Sequence, residues 1–246
     1  MADTLLQRQA RLLEYLTSAS AIFGEGDLSS DAFGFHRGLL YLEAKYSHQK
    51  RMEKIEAVLP RTLALLGAER EATVRAFAET NAPDSISRLD NARQFHQFLR
   101  ARQGQQAAAP AWLADVAAFE IAWAEAQGRK GAPRTKSEIP GSLRRHPAAA
   151  VLRSAYDIAP VLQERADEAA PHESFLAIAL PDGKETPELY VLSRELFELL
   201  ELLDDFTDEL TEIPDAVIAR LAASGLIEVD RWGSASLANF RRSRVG

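Results

Sequence analysis

Apolar residues recur at helical spacing through most of the first half of the chain. In "DTLLQRQARLLEYLTSASAIF", Leu5, Leu12, Leu13 and Leu16 fall near one side of a helix. "GEGDLSSD" interrupts the pattern, with Ser30 or Asp31 placed to cap the next helix. "AFGFHRGLLYLEAKYSHQKRMEKIEAVLPRTLALLG" reads as two helices: Pro60 restarts the chain and Gly67 stops it. On its first helix Tyr46 is expected to pack and Arg51 to lie in solvent. "AEREATVRAFAET" and "SRLDNARQFHQFLRAR" come next as helices, the latter with Phe95, Phe98 and Leu99 on one face.

The stretch after Pro110, "PAWLADVAAFEIAWAEA", has almost no polar side. Trp112, Val116, Phe119 and Trp123 form one stripe, and Leu113, Ile121 and several alanines fill the rest. Only Asp115, Glu120 and Glu125 interrupt it. A helix apolar nearly all round must be covered on more than one side. Asp115 and Glu120 point about 140° apart and form no side-by-side pair. A carboxylate in such a setting needs a partner. Three readings stay open: an internal packing contact or salt bridge, a contact to a partner subunit, and, least favoured, a catalytic role.

The pattern changes twice more. Residues 128–147, "GRKGAPRTKSEIPGSLRRHP" with its glycines, prolines and basic residues, read as a linker or solvated arm. "AAAVLRSAYDIAPVL" reads as a short apolar segment that docks on one half. From Phe175 to Ser193, "FLAIALPDGKETPELYVLS" has two strand-like runs around a Pro-Asp-Gly turn signal, a β-hairpin. Ser193 caps the amphipathic "RELFELLELLDDF". "PDAVIARLAASGLIEV" is a helix opened by Pro214, closed by Gly225 and continued by a short strand. The expected fold class is therefore α+β, predominantly α. A helical bundle over residues 1–127 precedes a small winged-helix-like domain over 148–246, with a hairpin or three-stranded sheet.

The 246 residues suit one large or two small domains, and 46% hydrophobic with 26% charged residues is an ordinary globular balance. A net charge of −7 argues against a general nucleic-acid binder. The chain has no cysteine, which removes disulfides, thiolate metal sites and cysteine nucleophiles together. No apolar run is long enough to span a bilayer, and the polar start lacks a secretory core, so a soluble, cytoplasmic protein without membrane partners is expected. No pair among His36, His48, His96, His146 and His172 has metal-ligand spacing, and neither a nucleophile elbow nor a phosphate-binding loop occurs. The carboxylates of "ELFELLELLDDFTDELTE" read as a solvated helix face.

The order of segments resembles the HvfC-type DNA-binding-domain family. The likeness rests on "YSHQKRMEKIEAVLPRTLALLG", "ISRLDNARQFHQFL", "PAWLADVAAFEIAWAEA", "RHPAAAVLRSAYDI" and the closing hairpin–helix–helix unit, roughly Leu39 to Val229. That family includes the MbnC and TglI partner subunits. The resemblance implies a subunit that is not an enzyme by itself and carries no cofactor. It would bind a TIM-barrel multi-iron oxygenase of the MbnB or TglH type, which holds the iron, and help modify cysteine in a ribosomally made precursor peptide. Trp112, Asp115, Val116, Phe119, Glu120 and Trp123 would then bind or support the barrel partner. The precursor's leader would add a strand at Leu189, Tyr190, Val191 and Leu192, its side chains reaching Val217, Ile218 and Leu221. The alternative is a DNA-binding transcriptional regulator, against which the single basic residue of the second helix, Arg220, and the acidic helix before it both argue.

Overall fold

The computed structural model describes residues 4–25, 36–103, 110–129, 142–181, 183–204 and 213–229. The chain is α+β and predominantly helical, and it divides into two compact units, residues 1–121 and 122–246. The division falls inside a helix, earlier than the boundary expected at residue 127.

Among its described residues the first unit is helical, without a strand: α1 (Leu5–Thr17), α2 (Ala19–Ile22), α3 (Arg37–Glu56), α4 (Pro60–Leu65), α5 (Arg70–Thr80), α6 (Arg88–Arg102) and the start of α7 (Leu113–Gly128). Local signals set most ends. Thr4 opens α1 through a capping box with Gln7, and Ser87 caps α6. Pro60 occupies the first turn of α4, where its missing N–H costs nothing. Gly67 stops α4 at a φ of +50°, a region that disfavours residues with a Cβ. Ser30 and Asp31 lie outside the described residues, and the observed cap of α3 is His36, whose Nδ1 accepts from the Gly38 amide at 3.2 Å.

The core of this unit gathers Phe77, Phe95 and Phe98, with Phe77 edge-on to Phe95 at 5.0 Å between centroids. The expected roles of Tyr46 and Arg51 are inverted. Tyr46 is 55% exposed, whereas Arg51 is 7% exposed, with its guanidinium 4.3 Å from the Phe77 ring centroid. An arginine can be buried this way because its planar head stacks on an aromatic ring while its edge N–H groups reach acceptors.

The second unit contains β1 (Leu143–Arg145), β2 (Ala150–Ser154), α8 (Ala159–Leu162), β3 (Ser174–Ala179), β4 (Glu188–Leu192), α9 (Arg194–Leu202), α10 (Asp215–Ala223) and β5 (Ile227–Val229). The expected hairpin is present as β3 and β4, antiparallel with Ala177 opposite Tyr190. Its sheet has the order β2-β3-β4. The third strand is thus β2, from the segment read as a short docking piece. The final strand, β5, pairs instead with β1, Arg144 opposite Glu228. Most of the expected linker, 130–141, lies outside the described residues, and its end is this strand β1. Arg144 and Arg145 are accordingly not a solvated arm. Arg144 binds Glu228 through Nε at 2.9 Å and a terminal nitrogen at 2.7 Å. Arg145 donates to the Leu200 carbonyl and pairs with Asp204 at the end of α9.

Every residue of β3 is buried, so both its faces are covered. On one face Phe175, Ala177 and Ala179 join a core with Leu192, Phe197, Leu200 and Leu203. The two alanines leave room for α9 to lie close, and Phe175 meets Phe197 at 5.0 Å. Gly225 closes α10 at a φ of +70°, and a Cβ there would stand 2.7 Å from the Leu180 carbonyl oxygen, so only glycine fits.

Candidate functional site

The first candidate is α7. Its sequence pattern is matched by burial: Trp112, Leu113, Ala114, Val116, Ala117, Phe119, Glu120, Ile121, Ala122 and Ala126 are all buried. Glu120 has a definite task. Its Oε1 accepts from the Arg61 amide at 2.7 Å, and Oε2 accepts from the Thr62 amide at 2.9 Å and the Thr62 hydroxyl at 2.6 Å. Those amides belong to the first turn of α4, whose N-cap position is Leu59 and makes no side-chain cap bond. The first amides of a helix need acceptors, and the positive end of its dipole favours an anion. Glu120 therefore caps α4 from a distant helix. Burial raises its pKa, against the lowering effect of the Thr62 and Arg61 hydrogen bonds.

Of the six residues expected to bind or support a partner, Trp112, Val116, Phe119 and Glu120 are buried. Asp115 and Trp123 keep partial exposure. Asp115 acts on His96 of α6, partly offsetting the burial and the Arg100 charge that lower the His96 pKa.

The second candidate is the edge of the three-stranded sheet. β4 has one neighbouring strand, β3, and its other side pairs with no strand among the described residues. Val191 is 64% exposed, and Val217 on α10 is also exposed. Tyr190, Leu192, Ile218 and Leu221 meet in one apolar cluster. Leu192 and Leu221 are buried core residues, so the accessible apolar surface by this edge comes from the other members of the set. Leu189 is half-buried on the opposite face of the sheet, facing Ile178 across the pair. Tyr190 donates its phenol to Glu188 at 2.8 Å, and burial, with that carboxylate second, pushes its pKa up to about 12. A sheet edge with unpaired backbone groups can add a strand from another chain, using main-chain hydrogen bonds for register.

Among the described residues no group of three or more His, Cys, Asp or Glu is placed to hold a metal ion, and no helix is long and apolar enough to cross a membrane. No protein-family profile matches the chain, and no curated protein matches it.

Sequence reasoning missed Thr62 and the buried Arg51. Thr62 had a signal: a helix opened by Leu59-Pro60 has no side-chain acceptor of its own, so its amides need a remote one. Arg51 had none, because its acceptors come from Asn81, Asn91 and Gln94, far along the chain.

Proposed function

We propose that this chain is a non-catalytic partner subunit of the HvfC-type family, serving a TIM-barrel multi-iron oxygenase that modifies cysteine in a ribosomally made precursor peptide. The ordered likeness of its segments to that family supports this reading. The single structural observation that carries it is the free edge of β4, the strand on which Val191 is exposed. In this reading the leader peptide adds a strand at Leu189 to Leu192 and rests its apolar side chains against Tyr190, Val217 and Ile218. The hairpin with α9 and α10 then acts as a winged-helix-like recognition unit. The partially exposed Asp115 and Trp123 belong to the surface that meets the barrel subunit, which holds the iron. The complex works in the cytoplasm.

Strand addition tolerates side-chain changes but not loss of an outward backbone donor. Along β4 these donors alternate between β3 and the open edge. Tyr190→Pro and Val191→Pro should thus differ: one breaks the ladder with β3, and the other removes an edge donor. Circular dichroism identifies the variant that keeps its fold. That variant is expected to lose binding of a labelled leader, alone and in the complex, and leader truncation should mimic it. Unchanged leader affinity in the folded variant sinks the strand-addition reading. Trp123→Glu should weaken co-elution with a co-expressed barrel subunit while helicity stays intact, and unchanged co-elution counts against the partner surface. Salt-dependent binding to duplex DNA, without leader binding, would instead establish the regulator alternative.

A further inference from the structure

Within the first unit a cavity of about 230 Å³ opens between α3, α6, the ends of α1 and α2, and residues 83–86. Helix α3 turns His48, Lys50, Arg51 and Lys54 toward it, and Asn91 and Ser85 add polar groups. Leu16 and Ile22 make an apolar wall. Arg51 is nine-tenths buried, yet its acceptors are all neutral: Asn91 Oδ1 at 3.1 Å, the Asn81 carbonyl at 2.7 Å and Gln94 Oε1 at 2.5 Å. No carboxylate among the described residues reaches ion-pair distance from it, and Asp84 acts on it only from farther away. Lys54 donates to the Ile86 carbonyl at 3.0 Å. The Nδ1 of His48 is buried and has no hydrogen-bond partner among the described residues.

A buried cation is ordinarily matched by a counter-charge, and a buried ring nitrogen by a hydrogen-bond partner. Here both are missing at one cavity, in a chain whose net charge is −7. We infer that this cavity is an oxyanion site, taking the carboxylate or phosphate of a small molecule whose apolar part lies against Leu16 and Ile22. Such an anion would supply the counter-charge that Arg51 lacks, bring Lys50 and Lys54 onto its oxygens, and accept a hydrogen bond from the His48 Nδ1–H. The volume lies below the range of about 300–1,000 Å³ typical of drug-sized ligands, which fits a small head group with a short tail. Burial first, and Arg51 second, hold the His48 pKa below its usual value, so an added negative charge should raise it. This site needs neither the oxygenase nor the leader, and stands or falls apart from the proposed function.

The test uses the full chain and three probes: inorganic phosphate, isovalerate and isovaleramide, the last having the isovalerate body without its charge. Calorimetry gives affinities, and proton NMR tracks the His48 ring through a pH titration with and without each probe. An anion is expected to bind and raise the His48 pKa, while isovaleramide does neither. Tighter phosphate assigns a phosphate monoester, and tighter isovalerate assigns a carboxylate. A double variant, Lys50→Met with Lys54→Met, should weaken anion binding by about tenfold or more while its melting temperature stays near wild type. Binding of isovaleramide as tight as isovalerate, a His48 titration unmoved by either anion at millimolar concentration, or unchanged affinity in the double variant would each overturn the site.

Discussion

Helices α1 and α7 are built largely from leucine, alanine and large aromatic residues, and they use them in opposite ways. On α1 the leucines gather toward one side, yet none of its residues is buried, and Leu6 is 76% exposed. It meets α2 and α3 mainly through Tyr15 and Leu16 near its C-terminal end. α7 has no distinct polar side and is buried nearly all round. One-sidedness in a sequence therefore reports contrast between two faces of a helix. It does not report depth, which depends on how many neighbours the helix has. α7 carries alanines at 114, 117, 122 and 126, all buried, and small residues let neighbours approach closely from several directions. It also carries one buried carboxylate, which the unsatisfied end of α4 stabilises.

This contrast can be broken by substitution. The largest effect is expected at Phe119→Ala, which should cost about 3–5 kcal/mol of unfolding free energy in urea titrations. A loss below about 1 kcal/mol would mean that α7 is less enclosed than its burial indicates. Glu120→Ala comes next: it strands the Arg61 and Thr62 amides and the Thr62 hydroxyl, at a cost of about 2–4 kcal/mol. Thr62→Val should couple to it in a double-mutant cycle.

A pH comparison sharpens the same point with a smaller effect. The folded pKa of Glu120 is raised above its unfolded value near 4.5, so the native state holds the proton more tightly than the unfolded chain. The stabilising effect of that linkage is complete below pH 4.5 and is lost as the pH rises through the folded pKa. Relative to Glu120→Gln, the wild type should thus lose stability as pH rises through that window. A wild type that instead gains stability relative to Glu120→Gln as the pH rises would show that the hydrogen bonds outweigh burial. The smallest effect is expected on α1, where Leu6→Ser should change stability by about 0.5 kcal/mol or less. A loss above about 1 kcal/mol would show that this face of α1 is covered in solution, and would erase the contrast with α7.

What could be read in the sequence was local. Pro60, Gly67, Ser193 and Gly225 mark helix ends through backbone chemistry that depends on adjacent residues, and each stands where expected. The hairpin was equally legible, from alternating residues around a turn. The partners of distant segments were not. β2 opens with three apolar residues in a row, Ala150, Val151 and Leu152, so it shows no alternation, and nothing near it specifies β3 as its neighbour. β1 sits in a glycine- and arginine-rich stretch whose composition resembles a connector, yet Glu228 lies 84 residues away to neutralise Arg144. At the candidate sites the sequence singled out Glu120 as a carboxylate needing a partner, and it could not say which amides would meet it. The exposed Val191 agrees with the edge position of β4, while Leu192 and Leu221 turned out to belong to the core beneath it.

The pairing of β1 with β5 also bears on the order in which the second unit assembles. These are strands of three residues each, joined across 84 positions of chain. Closing so long a loop in an unfolded chain costs on the order of 4 kcal/mol of entropy, more than six short strand residues and one ion pair return early. The hairpin of β3 and β4, by contrast, closes locally. Folding should therefore begin at the hairpin, gather β2 and α9, and only then zip the two ends together, which behave as a clasp. In hydrogen exchange the amides of Leu143–Arg145 and Ile227–Val229 should open at lower free energy than those of β3, so the clasp is the latest part to form and the first to release.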